Sequence, residues 1–353
     1  MATARPGANL NEIAASLGVS AATVSNALSG KGRVSAEMVE RVRARAAELG
    51  YVPSQAGRAL RTGRTGVLGL VLPDIANPLF PQIAQAIEYA ASSAGYGVLI
   101  ADSRGDVATQ TEAINRLLER DVEGMIIVPR RGTRIADIGC PVAVIDTPST
   151  PGNTVSADHW LGGQQIANHL GALGHKRLLL IGNNPASNVQ NDRLGGIRSA
   201  LKPGMSAETL WIERLEAVHG KGCNLGLAEK ARAGFTAFAA VSDLHALRAL
   251  TELQRAGINV PEAVSVTGFD DLIWAPVVTP ALTTVRMDMD AIAEIAVSAL
   301  VAAIAEGGAS AATVKAVTSK VSPQLIIRQS TGTALVASSS PTTTKPKQGE
   351  TAL

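Results

Sequence analysis

Five histidines (His159, His169, His175, His219 and His245) and two cysteines (Cys140 and Cys223) are the side chains best suited to general-base, nucleophilic or metal chemistry. Their spacing serves none of these. The sequence holds no His-Glu-x-x-His, no glycine-flanked serine elbow, no Walker loop and no G-x-G-x-x-G after a strand. His175 lies in Gly174-His175-Lys176-Arg177, a turn leading into a strand, and reads as structural. The cysteines are far apart, without metal-type spacing, and read as reduced thiols. Catalysis and a bound cofactor are therefore not expected.

What remains is recognition chemistry, in two groups. Ala21, Ala22, Ser25 and Asn26 share the outward side of a short predicted helix that opens with Ser20 and includes Thr23. Small side chains let a backbone approach bases closely, an Asn amide pairs with adenine, and an Ala methyl touches a thymine methyl. The plain alternative is a three-helix bundle whose Ser and Asn are merely solvated. The second group, Asp146, Arg193 and Asp270, falls at predicted strand ends or at the start of a helix. There a carboxylate accepts hydrogen bonds and a guanidinium donates a planar fork of them.

The elements that position the first group are legible locally. Asn9 with Glu12 has the spacing of a capping box, with Ile13 and Leu17 as the apolar face of a first helix. Gly18 breaks it, and Ser20 caps a second helix to about Leu28, with Val24, Ala27 and Leu28 inward. Ser35 caps a third, striped by Val39, Val42, Ala46 and Leu49 and ended by Gly50. Two short helices joined by a glycine turn and braced by a third form a helix-turn-helix pattern. Residues 1–66 carry nine Lys/Arg against four Asp/Glu, whereas the remainder carries 23 against 26. A net of +5 in a small module suits a polyanion. Beyond it, residues 53–61 read as a short, weak helix in which Leu60 stands between Arg58 and Arg61. That arrangement suits an apolar wedge for a minor-groove step flanked by phosphate contacts.

From Val67 the texture changes. Apolar runs at Val67–Leu72, Tyr96–Ala101, Gly124–Val128 and Val142–Asp146 read as buried strands, with helices at Pro78–Ala94 and Thr109–Arg120. A second series has strands at Arg177–Gly182, Phe235–Ala240 and Val264–Phe269, with helices at Trp160–Leu173, Asp192–Leu201 and Ser242–Arg255. Such alternation implies parallel sheets covered on both faces, in two similar lobes, with ligand sites in the crevice at strand C-terminal ends. Hydrophobic residues make up 46% and charged residues 18%, ordinary for a soluble globular protein. No membrane span or secretion signal is expected, so the chain is expected in the cytoplasm.

The stretches Ile13–Leu28, Gly32–Ser35, Ala47–Pro53 and Arg58–Gly63 resemble the headpiece of the LacI/GalR family of transcription regulators, and the similarity continues to about Ser330. The resemblance implies an all-α helix-turn-helix headpiece joined to an α/β two-lobed sensor of the periplasmic-binding-protein type. It further implies a ligand-responsive regulator, most readily a repressor, that binds double-stranded palindromic operator DNA as a homodimer. In the family, the positions matching Ala21 and Ala22 select the operator, the one matching Asn26 assists, and the leucine matching Leu60 intercalates. Asp146, Arg193 and Asp270 match positions that bind sugar hydroxyls, and Asn77-Pro78-Leu79-Phe80 matches a first loop whose aromatic often lines the cleft. The effector is thus expected to be a sugar or related polar metabolite.

Two departures stand out. Ser242 occupies a position where the family usually carries Asn, and Met287 one where it often carries Gln. Both remove an amide able to bind hydroxyls in bidentate fashion, which argues against a standard pyranose. Trp160 and Trp274, near predicted cleft loops, offer stacking faces for a ligand, with core packing as the alternative. Residues 202–232 read as shorter and more irregular than the usual pattern. The expected organisation is a DNA-binding domain over 1–52, a hinge helix and linker over 53–66, and an effector domain over 67–330. Its N-lobe takes about 67–158 and 288–318, its C-lobe about 159–287 and 319–330, and residues 331–353, rich in Ser, Thr and Pro, form a disordered tail. The rival readings are an enzyme, disfavoured by the missing motifs, and a secreted solute-binding protein, disfavoured by the headpiece and the missing signal.

Overall fold

A computed structural model describes residues 9–30, 32–51, 64–136, 138–307 and 319–334. The chain divides into two compact units, Met1–Gly66 and Val67–Leu353.

Among its described residues the first unit holds three helices, α1 (Leu10–Leu17), α2 (Ala21–Ser29) and α3 (Ala36–Glu48). Each begins on a side-chain cap: Asn9 in a reciprocal capping box with Glu12, Ser20 accepting from the Thr23 N–H, and Ser35 accepting from the Met38 N–H. Gly18 closes α1 at φ 66°, a left-handed conformation that glycine adopts without steric cost, and turns the chain into α2. Ile13, Val24, Ala27 and Val42 are wholly buried where the helices meet. Each of the larger side chains contributes roughly 1.5–3 kcal/mol on burial, enough for a core this small to matter.

The second unit carries two parallel sheets. In the N-lobe, β1 (Val67–Leu72), β2 (Gly97–Asp102), β3 (Gly124–Ile127), β4 (Val142–Ile145), β5 (Asn153–Ala157) and β11 (Ser319–Val321) lie in the order β11-β5-β4-β3-β1-β2. Helices α4 (Leu79–Ser93) and α11 (Met289–Ala305) cover one face and α5 (Val107–Leu118) the other. In the C-lobe, β6 (Arg177–Gly182), β7 (Ser206–Trp211), β8 (Ala237–Ala240) and β9 (Ser265–Thr267) lie in the order β7-β6-β8-β9. One face packs on α6 (His159–Ala172) and α7 (Asn188–Ser199), the other on α10 (Asp243–Arg255) with α8 (Ile212–His219) and α9 (Leu227–Arg232). A two-stranded antiparallel ribbon, β10 (Thr284–Arg286) with β12 (Gln324–Ile326), runs where the chain passes between lobes. One apolar cluster is continuous through this region by way of Phe269, Val285 and Met287. Among the described residues no helix is long and apolar enough to cross a membrane.

Three expectations are corrected. Residues 202–232 are regular, holding β7, α8 and α9, because the edge strand Ser206–Trp211 alternates in exposure and shows no apolar run. Residues 319–321 belong to the N-lobe, since β11 pairs in parallel with β5, and the chain crosses to the C-lobe only after Val321. Residues 331–334 are not a loose tail: Thr331 meets His169 at 2.9 Å, the Gly332 N–H donates to Ser265 Oγ at 3.0 Å, and the Ala334 N–H donates to the Leu173 carbonyl at 2.9 Å. The expected hinge helix with Arg58, Leu60 and Arg61, and the tail beyond residue 334, lie outside the described residues.

Candidate functional site

On the headpiece, α2 presents its polar groups in two ways. Ser20 and Thr23 bring their hydroxyls together at 2.9 Å on the helix cap, so both are held near the helix N-terminus. One turn apart, Ala22 and Asn26 are exposed on the outward face, while Ala21, Thr23 and Ser25 are half-buried. Gly32, at φ +84°, lies against Asn26, where an added Cβ would stand 3.1 Å from the amide nitrogen. Behind this face, Arg45 braces α3 on α1 by donating to Ser16 Oγ at 3.1 Å.

In the larger unit a cavity of about 580 Å³ is lined from the N-lobe by Asn77, Phe80, Arg130 and Asp146, and from the C-lobe by Arg193, Ser242, His245, Asp270 and Met287. These groups gather at the C-terminal ends of the strands, the position where open parallel sheets bind ligands.

Arg193 is the best-anchored of them. It projects from α7, which packs so closely on α6 that an added Cβ at Gly163 would lie 2.2 Å from the Arg193 carbonyl oxygen and one at Gly196 2.1 Å from that of Trp160. Only glycine permits this approach. The buried guanidinium stacks 3.8 Å over Phe269. Its Nη1 donates to the Val241 carbonyl at 2.6 Å and its Nε to His159 Nδ1 at 3.3 Å, while Nη2 reaches the Met287 sulfur at 3.6 Å. Because Nε can only donate, His159 is neutral with its proton on Nε2. Burial first, and the Arg193 charge second, hold the His159 pKa well below the ordinary imidazole value. Thioether sulfur is a weak acceptor, so Nη2 keeps donor capacity for a ligand.

Asp270 faces Arg193 at 2.9 Å as an ion pair. The contact is out of line for a hydrogen bond, and Oδ1 has no hydrogen-bond partner. Its backbone sits at φ 107°, a region costly for any residue but glycine and most often retained where function needs it. Burial pushes the Asp270 carboxyl up to about 6 against the opposing pull of Arg193. Asp146, across the cavity, also rises to about 6 through burial, although the Thr150 hydroxyl donates to its Oδ2 at 2.5 Å. Two partly desolvated carboxyls and a donor fork thus point at one space.

Asn77 spends its side-chain oxygen on the Leu79 N–H at 3.1 Å, fixing the turn that delivers Phe80. Ser242 caps α10 and meets His245 Nδ1 at 2.5 Å, and burial drives the His245 pKa down to about 4.

The two expected stacking tryptophans do not line the cavity. Trp160 lies across Gly195, filling the space left by the missing side chain, and remains 43% exposed. Trp274 is 41% exposed, between the still more exposed Ile273 and Val277 in sequence. His159, His245 and Arg130 were not foreseen as cavity groups. Recognising Asn153–Ala157 as a strand would have placed His159 at a strand end.

Comparison with known proteins places this arrangement. Residues 9–54 match the bacterial regulatory proteins of the lacI family, and residues 167–331 match the periplasmic binding protein-like domain. The chain is 33% identical over 343 residues to the HTH-type transcriptional regulator MalR of Streptomyces coelicolor, covering 92% of this chain and 97% of that one. It is 32% identical over 287 residues to the HTH-type transcriptional regulator DegA of Bacillus subtilis, covering 78% and 85%. Among solved structures, the lac repressor dimer bound to operator and the anti-inducer ONPF aligns with a TM-score of 0.75 at 25% identity, over 93% of this chain and all of that one.

Proposed function

The chain belongs to the lacI family of bacterial DNA-binding transcriptional regulators, and from that premise we propose that it is a cytoplasmic, ligand-responsive repressor that binds a palindromic operator as a homodimer. The headpiece reads the major groove through α2, with Ala21, Ala22, Ser25 and Asn26 facing base edges and Ser20 and Thr23 facing the phosphates. The effector sits between the lobes.

The observation that carries the ligand reading is the Arg193–Asp270 pair. A guanidinium with a spare donor and a carboxylate whose ion-paired oxygen lacks an aligned hydrogen bond are buried together at a polar cavity, and both capacities are met when a ligand brings vicinal hydroxyls or similar groups. Asp146 supplies a further acceptor, and Phe80, Met287 and Ile292 supply apolar wall. With Met287 and Ser242 in place of amides and without an aromatic platform from Trp160 or Trp274, a compact polar metabolite fits better than a stacked pyranose.

Self-association is supported by apolar side chains left in the open. β2 is an edge strand of a parallel sheet, a kind normally covered on both faces, yet Ile100 is 54% exposed and Leu99 36%. Ile273, Trp274 and Val277 form a second apolar group on the C-lobe. Patches of this kind mark association surfaces. A ligand that binds one relative lobe orientation more tightly than another shifts the dimer between DNA-binding states by that difference in affinity.

A thermal-shift screen of the full chain against sugars, polyols, sugar phosphates and nucleobases tests this reading. A selective ligand at about a hundred times its Kd adds about 2.7 kcal/mol and raises the melting point visibly. The same ligand should lose its effect on Arg193→Gln. A ligand whose shift survives that substitution would move the site elsewhere.

A further inference from the structure

Asp270 and its neighbour Asp271 look in opposite directions. Asp270 faces Arg193 in the cavity, whereas Asp271, also 7% exposed at its side chain or less and also at positive φ (49°), turns to the strands that join the lobes. Its Oδ2 accepts from Arg286 Nε at 2.6 Å and its Oδ1 from Arg328 Nη2 at 2.7 Å. Arg286 ends β10, immediately before the chain crosses into α11 of the N-lobe. Arg328 follows β12, shortly after the chain has returned from β11. Among the described residues, one carboxylate therefore grips two of the chain segments that pass between lobes.

Arg328 is tied down further, donating from Nη1 to the Leu282 carbonyl at 2.8 Å and from its backbone N–H to Thr283 Oγ1 at 2.9 Å. On the other side, the Asp270 N–H donates to the Val285 carbonyl at 2.8 Å. Two consecutive non-glycine residues at positive φ carry a backbone cost and persist only where their surroundings over-determine them. Here the surroundings are these crossing-strand bonds.

We propose that Asp271 is the positioning residue of the interlobe hinge: its clasp on Arg286 and Arg328 sets the lobe angle and holds the backbone turn that aims Asp270 at the cavity. A movement of Asp270 is then transmitted through one peptide unit to both crossing strands. That signalling consequence rests on the cavity being the effector site; the clasp itself does not.

The test reads lobe separation without any ligand. Spin labels at Glu112→Cys on α5 and Glu229→Cys on α9, both exposed, report N-lobe to C-lobe distance by pulsed dipolar spectroscopy. The background is Cys140→Ala and Cys223→Ser, and labelled full-length chain is diluted into an excess of unlabelled chain. The parent should give one narrow distribution. Asp271→Asn should broaden it and shift its mean, Arg328→Gln should do the same, and Arg286→Gln, whose side chain is 53% exposed, should do so less. Leu253→Ala, a wholly buried C-lobe core residue, is the control for general loosening and should lower the melting point while leaving the distribution in place.

Unchanged distributions in both Asp271→Asn and Arg328→Gln would overturn the proposal, as would equal broadening in Leu253→Ala. Should Asp271→Asn not fold, the two arginine variants carry the test alone. Because no ligand is present, a cavity that binds no effector leaves this result untouched.

Discussion

Arg193 and Asp270 meet at 2.9 Å with only 5% and 3% of their side chains exposed. Removing two charges from water costs several kcal/mol per ion, and their attraction offsets this only when further bonds satisfy the remaining groups. Arg193 has those bonds, to Val241, His159 and the Phe269 ring, whereas Asp270 keeps an oxygen without one. The pair is therefore more extensively bonded on its cationic side than on its anionic side.

Breaking this pair from one side should be costly. Arg193→Met strands a buried carboxylate and is expected to destabilise the larger unit by about 3–5 kcal/mol in urea unfolding. Adding Asp270→Asn should recover much of the loss, since Asn is neutral and tolerates positive φ better than most residues. A double variant as unstable as the sum of the singles would show that the two do not act as a pair.

The glycine contact beneath Arg193 gives a second expectation. Gly196→Ala puts a methyl 2.1 Å from the Trp160 carbonyl oxygen, so α6 and α7 must part. Overpacking of this kind typically costs about 1–3 kcal/mol, and here the displaced helix carries Arg193 with it. Ligand response should fall together with stability. Gly171→Ala on α6, whose new methyl would meet the flexible Met205 side chain at 3.2 Å, should be far milder on both counts.

pH dependence follows from the carboxyl next to the pair. Asp243 is wholly buried, accepting from the Leu272 N–H at 2.7 Å and the Thr284 hydroxyl at 2.5 Å. Burial, then the nearby Asp270, pushes its carboxyl from 3.8 up to about 8. The folded state holds this proton more tightly than the unfolded chain, so the contribution is fully present below the unfolded pKa and is lost as pH rises through 8. His245 acts in the opposite sense: its pKa is lowered from 6.5 to about 4, so its contribution is lost as pH falls through that window. Of these two groups, only the Asp243 carboxyl still contributes a slope above pH 6.5. Stability should decline from pH 6.5 to 8.5 by at most about 1.4 kcal/mol per pH unit for one proton. Asp243→Asn should flatten that decline in thermal unfolding across the range; an unchanged slope would assign it to another group.

On the headpiece, Asn26→Ala should weaken binding to the preferred duplex by about 1–3 kcal/mol while sparing random DNA, because an amide contact to a base edge carries sequence information and a phosphate contact does not. Gly32→Ala should mimic it in part, since its methyl presses on the Asn26 amide and its backbone at φ +84° disfavours a side chain. Equal losses on both duplexes would instead indicate a damaged fold.

Much of this was legible locally. The caps Asn9, Ser20 and Ser35 announce their helices within four residues, and β1 and β6 appear to the residue as apolar runs. What escaped depends on distant partners. Strand β5 is wholly buried yet reads Asn-Thr-Val-Ser-Ala, because Thr154 Oγ1 accepts from the Val144 N–H and Asn153 Oδ1 from the Asp146 N–H, so two of its polar side chains bond to the neighbouring segment. Trp160 looked like a ligand platform by residue type, but its place is set by Gly195, 35 positions away, which left room for its ring. Asp270 stood out as a strand-end charge and Arg193 as one at the start of a helix; their pairing needed the fold.

In the proposed function, residues 1–66 read DNA and the larger unit governs that reading. The most direct measurement is a fluorescence-anisotropy titration of the duplex that the full-length chain enriches from a random pool, with and without the compound that raises its melting point, alongside residues 67–353 alone. The expected result is an enriched duplex with two-fold symmetry, tight binding by the full chain, an affinity that changes several-fold with the compound, and no specific binding by residues 67–353. Specific binding by residues 67–353, or an affinity for the enriched duplex no greater than for random DNA, would contradict it.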